Sequence, residues 1–298
     1  MHTEPSQEHY NCIVITGATA SGKTAYAVQL AQTHGGEIIS ADSRQVYRGL
    51  DLGTGKDLHE YGSIPYHLID ICDLSTEYTV FHFQQDVYRI FPDMLQRGAL
   101  PIIAGGTGLY IDAVLRNYEL IPVPEDAALR AELGSKSLSE LHTILFSLKE
   151  TVHNKTDLEQ PKRLIRAIEI ARYTKEHPEE VAAYHAQKPL IVPKVYGIFF
   201  NRAVLHERIY RRLHDRIKAG MIEETENLHN QGYSWQRLES LGLEYRFTAQ
   251  YLQGLIPERE VYIQKLYHAI CQFAKRQETW IRRMIKNGIS IHPLYPPV

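Results

Sequence analysis

Residues Gly17-Ala18-Thr19-Ala20-Ser21-Gly22-Lys23-Thr24 decide how the rest of the chain is read. They fit G-x-x-x-x-G-K-[ST] and stand between a β-favouring run, Cys12 to Thr16, and a helical stretch, Lys23 to His34. The two glycines let the backbone curl until successive N–H groups face one point, and the following helix adds its positive N-terminal end. Such a loop cradles a di- or triphosphate group. Lys23 supplies a charge to the terminal phosphate, and the Thr24 hydroxyl can ligate Mg²⁺. The motif specifies a ligand and leaves the reaction open.

Outward from the loop, a second strand is expected at Glu37 to Ser40, ending in Ala41-Asp42-Ser43. Further apolar runs lie at Tyr66 to Ile71, Leu100 to Ala104 and Val195 to Phe200, with a helical stretch at Val80 to Arg97. Strands alternating with helices predict an α/β fold on a parallel sheet. There the glycine loop and Asp42 share the carboxyl edge, where open α/β sheets bind ligands. A nucleotide hydrolase would need a carboxylate after a later buried strand. Leu100 to Ala104 runs instead into Gly105-Gly106-Thr107-Gly108. Asp42 could accept a proton from a nucleophile, hold Mg²⁺ through water, or cap the following turn. Ser43, Arg44 and Gln45 add hydrogen-bonding groups beside it, and a glutamine amide suits the edge of an adenine.

Residues 117–193 read differently. They lack convincing strands, carry helical patterns such as Lys162 to Thr174, and are punctuated by Pro122, Pro124, Pro161, Pro178, Pro189 and Pro193. The expected organisation is a core begun in 1–116, a helical insertion at 117–193, and a completion of the core in 194–298. From Val204 onward the chain is expected to be helical, closing with a long helix near Val261 to Lys286.

The chain has 298 residues, 44% hydrophobic and 23% charged, which excludes disordered and fibrous classes. No apolar run approaches the roughly 18 residues of a membrane span, and residues 1–10 have no signal-peptide core, so a cytoplasmic protein is expected. Cys12, Cys72 and Cys271 are too scattered for a disulfide framework or a zinc site. The fifteen histidines show no metal-binding spacing. Of the nineteen tyrosines, most are assigned to packing, with Tyr47 and Tyr110 set apart as candidates for base stacking; Trp280 is assigned to the core. A net charge of −2 implies no nucleic-acid partner by itself. Two basic stripes say otherwise: Lys162, Arg163, Arg166, Arg172 and Lys175 against Glu169 alone, and Lys275, Arg276, Arg282, Arg283 and Lys286 against Glu278 alone. Solvated helix faces are the plain alternative.

The ordered set of motifs resembles the tRNA dimethylallyltransferase (tRNA isopentenyltransferase) family over most of the chain. The matching blocks are Gly17 to Thr24, then Asp42-Ser43-Arg44-Gln45-Val46-Tyr47 with Gly53-Thr54-Gly55-Lys56, His67-Leu68-Ile69-Asp70, Gly105-Gly106-Thr107-Gly108-Leu109-Tyr110, and Lys275-Arg276-Gln277-Glu278-Thr279-Trp280. The resemblance implies a P-loop NTPase-like core and transfer of a dimethylallyl group from dimethylallyl diphosphate to N6 of adenosine 37, beside the tRNA anticodon, with Mg²⁺ assisting. Asp42 matches the family's catalytic aspartate and Thr107 a residue near the reacting groups. The loop would hold the leaving diphosphate. Arg208 and Arg212, at i and i+4, are candidates to neutralise it, with surface ion pairing the alternative. Contacts to the anticodon arm are implied for Asp42 to Gln45, Thr107, Arg130, Lys162-Arg163-Leu164-Ile165-Arg166, Tyr245-Arg246, and Lys275 through Trp280 to Ile281 and Arg282. A monomer with no stable protein partner and no membrane association is expected.

Three positions depart from the family's pattern: Ala18 replaces a proline, Lys162 a glutamine, and Glu244 a glycine. The rival readings are a small-molecule P-loop kinase, an adenylate isopentenyltransferase acting on free nucleotide, and an RNA-binding protein with a vestigial loop. The basic stripes speak against the first two, and intact Lys23, Thr24 and Asp42 against the third.

Overall fold

The computed structural model describes residues 9–148 and 159–296. Strand β1 (Cys12–Gly17) is β-branched and wholly buried, and α1 (Lys23–His34) follows it directly after the glycine loop. Gly22, at the N-terminus of α1, has φ of 81°, a conformation that only glycine adopts without strain. Four more strands follow in sequence: β2 (Gly36–Ser40), β3 (Tyr66–His67), β4 (Leu100–Gly105) and β5 (Pro193–Ile198). With β6 (Ile291–Leu294) they form one parallel sheet in the order β3-β2-β4-β1-β5-β6.

Strand alternation sorts the core into two layers. Val14, Ile39 and Ile103 face α2 (Val80–Gln96) and α3 (Gly108–Leu115), packing with Phe83, Val87, Phe91 and Ile111. Ile13, Ile15, Ile38 and Ile102 face Ala27, Val28 and Ala31 of α1. Each such side chain fully buried contributes about 1.5–3 kcal/mol, so the sheet is rigid where its carboxyl edge carries the loops. The register sets those loops side by side: Thr16 pairs with Gly105 and Ser40 with Ala104.

Three of the sheet's expectations need correction. The run Tyr66 to Ile71 is a strand only over its first two residues, because the backbone turns left-handed at Leu68 (φ 63°) and Asp70 (φ 55°). The turn places the Asp70 carboxylate on the buried Lys56 ammonium. The C-terminal region is not helical to its end, since β6 adds a sixth strand after the long helix. Its four residues, only partly buried and containing Pro293, carry too weak an apolar pattern to be read. Strand β5 also begins at Pro193, inside the stretch assigned to the insertion.

The chain divides into two compact units, Met1–Tyr118 with Pro189–Val298, and Glu119–Lys188. The first is completed by α8 (Arg202–Lys218), α9 (Met221–Asn230), α10 (Trp235–Glu239), α11 (Leu243–Leu252) and α12 (Arg259–Lys286). Leu205, Ile209, Leu213 and Ile217 recur every fourth residue on α8 and pack on Tyr262, Leu266 and Ile270 of α12. The second unit contains α4 (Ala127–Gly134), α5 (Leu138–Leu148), α6 (Pro161–Glu176) and α7 (Pro178–Ala186). Leu129, Leu133, Leu141, Leu145, Leu164 and Ile168 make its separate core. Proline opens both α6 and α7, where the missing N–H costs nothing. No helix among the described residues is long and apolar enough to cross a membrane.

Candidate active site

A cavity of about 980 Å³ opens at the carboxyl edge of the sheet, within the first unit. The glycine loop forms one wall, with Lys23 and Thr24 lining it. Lys23 Nζ donates to the Ala18 carbonyl at 2.7 Å, folding the side chain back over its own loop. Burial, reinforced by Arg212, brings its ammonium down to about 8, while Asp42 pulls the other way.

The buried stripe of α8 aims a second wall. Arg208, Arg212 and Arg216 each precede one of the buried residues Ile209, Leu213 and Ile217, so the three guanidinium groups emerge along one edge of the helix and line the cavity. Arg208 Nε donates to the Ala20 carbonyl at 2.8 Å, tying the helix to the glycine loop. Arg212 and Arg216 approach Asp57 at 3.7 and 3.6 Å. Arg216 was not expected at the site, although the i, i+4, i+8 spacing 208-212-216 carried the signal. One of its terminal nitrogens, Nη2, is buried without a hydrogen-bond partner among the described residues. Burial and Arg212 bring its guanidinium down to about 10, still fully charged at neutral pH.

Asp42, Ser43 and Arg44 line the same cavity. One Asp42 oxygen accepts the Arg44 N–H at 2.9 Å, so the carboxylate caps its turn and also lines the cavity. Thr107 Oγ1 accepts the Ser43 N–H at 3.0 Å, and the Thr107 N–H donates to the Ala41 carbonyl at 3.1 Å. Asp42 and Thr107, far apart in sequence, are thus held on adjoining loops. Glu244 joins them from α11: burial holds its carboxyl above the ordinary value, against the pull of Arg216 and Arg212.

Several residues expected at a tRNA contact are committed elsewhere. Leu164 and Ile281 are fully buried in apolar clusters, with Ile165 packed beside Leu164. Tyr245 is 1% exposed, and its hydroxyl donates to Glu224, which also accepts the N–H groups of Asp51, Leu52 and Gly53. Gln45 does not present its amide to a base: Oε1 accepts from Ser40 at 2.9 Å and Nε2 donates to the Gly55 carbonyl at 3.1 Å. Tyr47 and Tyr110 are core residues, the latter stacked on Phe83 at 4.4 Å, so neither offers a face to a base. Trp280, half-buried, packs against the core as expected and also lines the cavity. Arg246 and Arg276 also line it, while Lys275, Thr279 and Arg282 are exposed on α12. Glu278 reaches Arg282 at 3.7 Å.

In the second unit the first basic stripe is divided by Glu169. This carboxylate, 3% exposed, accepts from Arg130, Arg166 and the Asp126 N–H. Burial would raise its pKa, but these bonds together hold it below the ordinary value. Arg130 also pairs with Glu125 at 2.7 Å, and Arg166 donates to the Val123 carbonyl at 2.8 Å. Lys162, Arg163, Arg172 and Lys175 lie on the exposed side.

A glycine loop heading an NTPase-like parallel sheet, with a set of arginines and a carboxylate lining the same cleft, defines a P-loop α/β enzyme. The chain matches the model of the IPP transferase family over residues 45–284 and that of isopentenyl transferase over residues 10–61. It is 61% identical over 285 residues to tRNA dimethylallyltransferase 2 of Treponema denticola, covering 96% of both chains. To tRNA dimethylallyltransferase of Treponema pallidum it is 59% identical over 288 residues, 96% of this chain and 91% of that protein. Among solved structures, the full-length tRNA isopentenylpyrophosphate transferase of Bacillus halodurans superposes with a TM-score of 0.69 at 32% identity, covering 96% of this chain and 90% of that one. The chain belongs to the IPP transferase family and is a prenyltransferase.

Proposed function

We propose that this prenyltransferase carries a dimethylallyl group from dimethylallyl diphosphate to N6 of adenosine 37 in tRNA. The observation that carries the reading is that Lys23, the α8 arginines, Asp42 and Thr107 line one cleft. The bond from the allylic carbon to the diphosphate oxygen breaks as the bond from that carbon to N6 forms. Asp42 takes the proton that N6 gives up, and diphosphate leaves with its charge met by Lys23, Arg208, Arg212 and the loop amides. The Thr107 hydroxyl, bonded to the Ser43 N–H, steadies the turn that holds Asp42.

Mg²⁺ fits the donor set, because the Thr24 hydroxyl and Asp42 carboxylate are hard oxygen ligands lining the same cavity. Thr24 would hold it. Bound there, it would offset the negative charge of the diphosphate.

The unit Glu119–Lys188 would grip the anticodon arm through Lys162 and Arg163, with Lys275, Arg276 and Arg282 as the second contact. Phosphate contacts of this kind set position, and an unpaired loop base enters a pocket at less cost than one in a duplex. The test incubates purified protein with Mg²⁺, dimethylallyl diphosphate and an unmodified tRNA carrying adenosines at position 37 and on either side, then maps nucleosides by mass. Prenylated adenosine at position 37 is expected. Prenylation of free AMP alone would overturn the tRNA assignment.

A further inference from the structure

The buried stripe of α12 contains one residue of the wrong polarity. Gln277 lies between Ala274 and Ile281 at 8% exposure, where an aliphatic side chain would satisfy the packing. Burying an amide is costly unless both its ends are bonded. Both are, and to different loops. Oε1 accepts the Thr19 N–H at 2.7 Å, and Nε2 donates to the Gly106 carbonyl at 2.9 Å. These loops follow neighbouring strands β1 and β4, and no hydrogen bond among the described residues joins 18–22 to 105–108 directly. Gly106 is pressed so closely on Gln277 that a Cβ there would overlap the amide nitrogen. One turn further along α12, the Trp280 ring meets Gly108 in the same way. Gln277 and Trp280 therefore clasp the loop on either side of Thr107, the residue bonded to the turn of Asp42.

We infer that Gln277 is a positioning residue: it fixes the separation between the loop that holds the donor's diphosphate and the loop that steadies the acceptor's base, and it does not contact tRNA. This rests on the reading of the cleft given above. Displacing reacting groups by about 1 Å can cost 10²-fold in rate, so a side chain that spaces two loops controls turnover without touching a substrate. One P-loop amide, that of Thr19, is turned to Gln277, so α12 also shapes the cradle itself.

The test measures equilibrium binding of inorganic pyrophosphate and of unmodified tRNA to wild type, Gln277→Leu and Gln277→Glu, each from pH 5.5 to 8. Leucine removes both bonds, and pyrophosphate affinity is expected to fall about tenfold at every pH. A neutral glutamic acid can replace both bonds, its carbonyl accepting from Thr19 and its hydroxyl donating to Gly106; the carboxylate cannot. Relative to wild type at the same pH, Gln277→Glu is therefore expected to lose affinity at pH 8 and regain it toward pH 5.5. Affinity for tRNA should stay within about twofold in both variants. Thermal melting identifies a leucine variant that fails to fold, in which case the pH recovery of Gln277→Glu decides. Wild-type pyrophosphate binding in both variants would overturn the proposal, as would loss of tRNA affinity alone, or a joint loss with no recovery at low pH. Pyrophosphate binding does not depend on the acceptor, so a failure to prenylate tRNA would reject the proposed reaction and leave this result standing.

Discussion

Arginine does opposite work in the two units. On α8, Arg208, Arg212 and Arg216 stand beside a buried apolar stripe and converge on an open cavity, where Asp57 approaches no closer than 3.6 Å. In the second unit, Arg130 and Arg166 close on the buried carboxylate of Glu169, which they and the Asp126 N–H saturate. The first arrangement leaves positive charge for a ligand. The second consumes it to hold α4 against α6. What separates them is direct bonding: Glu169 accepts hydrogen bonds from both of its arginines, whereas Asp57 stays at 3.7 and 3.6 Å from Arg212 and Arg216 and buried Glu244 acts on them through its charge. In the proposed reading, the arginines without a direct carboxylate bond serve the ligand, and those bonded to Glu169 serve stability.

The largest expected effect breaks the first arrangement at its acceptor side. Asp42→Ala should lower turnover by about 10³-fold, the range of a lost general base, while tRNA affinity changes by less than about twofold. Single-turnover assays with tRNA binding measured in parallel check this. An Asp42→Ala enzyme of wild-type rate would remove the carboxylate from the mechanism.

The next breaks the second arrangement. Glu169→Gln keeps the shape and leaves two arginines without their anion. Because Arg130 and Arg166 are each about a third exposed, the expected loss is about 2 kcal/mol, below the range for fully buried pairs. Urea unfolding of the full chain and hydrogen exchange in 119–188 would record it. The sign with pH follows from the depressed carboxyl: this stability is present above the ordinary carboxylate value and lost as pH falls through the lowered one. If Glu169→Gln were fully stable but bound tRNA differently, the two arginines would belong to the interface after all.

Much of this contrast was legible in the sequence, and the boundary of legibility is physical. The glycine loop, its flanking strand and helix, and the parallel sheet follow from local patterns, and α1 has the predicted limits. Arg208 and Arg212 could be paired by helical spacing. The fate of Arg130 could not be read, because its partner Glu169 lies 39 residues away and only the packing of α4 on α6 joins them. Gln45, Gln277 and Tyr245 fail for the same reason: a motif gives a polar side chain and its neighbours in sequence, whereas its bonds reach across the fold to Gly55, Thr19 and Glu224. Short strands such as β6 are stabilised by the sheet they join, and their own residues carry little signal.

A third prediction sharpens the picture of the cleft. Lys23 has a free-protein value of about 8, and a bound diphosphate would raise it. Donor affinity should therefore be full below pH 8 and fall as pH rises beyond it, approaching about tenfold per pH unit. Lys23→Arg should flatten that fall, since a guanidinium stays charged, although it fits the cradle less well. The donor's KM from pH 7 to 9.5 in both proteins is the measurement; an unchanged slope in Lys23→Arg would assign the titration to another group.

The smallest effect divides the second unit itself. Lys162 and Arg163 are exposed on the first turn of α6, while Arg166, one turn on, is bound to Glu169. If cations on the exposed face and cations bonded to a buried carboxylate serve different ends, the double variant Lys162→Ala, Arg163→Ala should weaken tRNA binding several-fold and reduce the salt dependence of log K by about 1.5, the share of two phosphate contacts. Its unfolding should match wild type, since surface changes of this kind are worth within about 0.5 kcal/mol. Glu169→Gln should show the reverse, with stability lost and the salt slope kept. Equal salt slopes in the double variant and wild type would make this stripe an ordinary solvated face, and the grip on tRNA would then fall to α12.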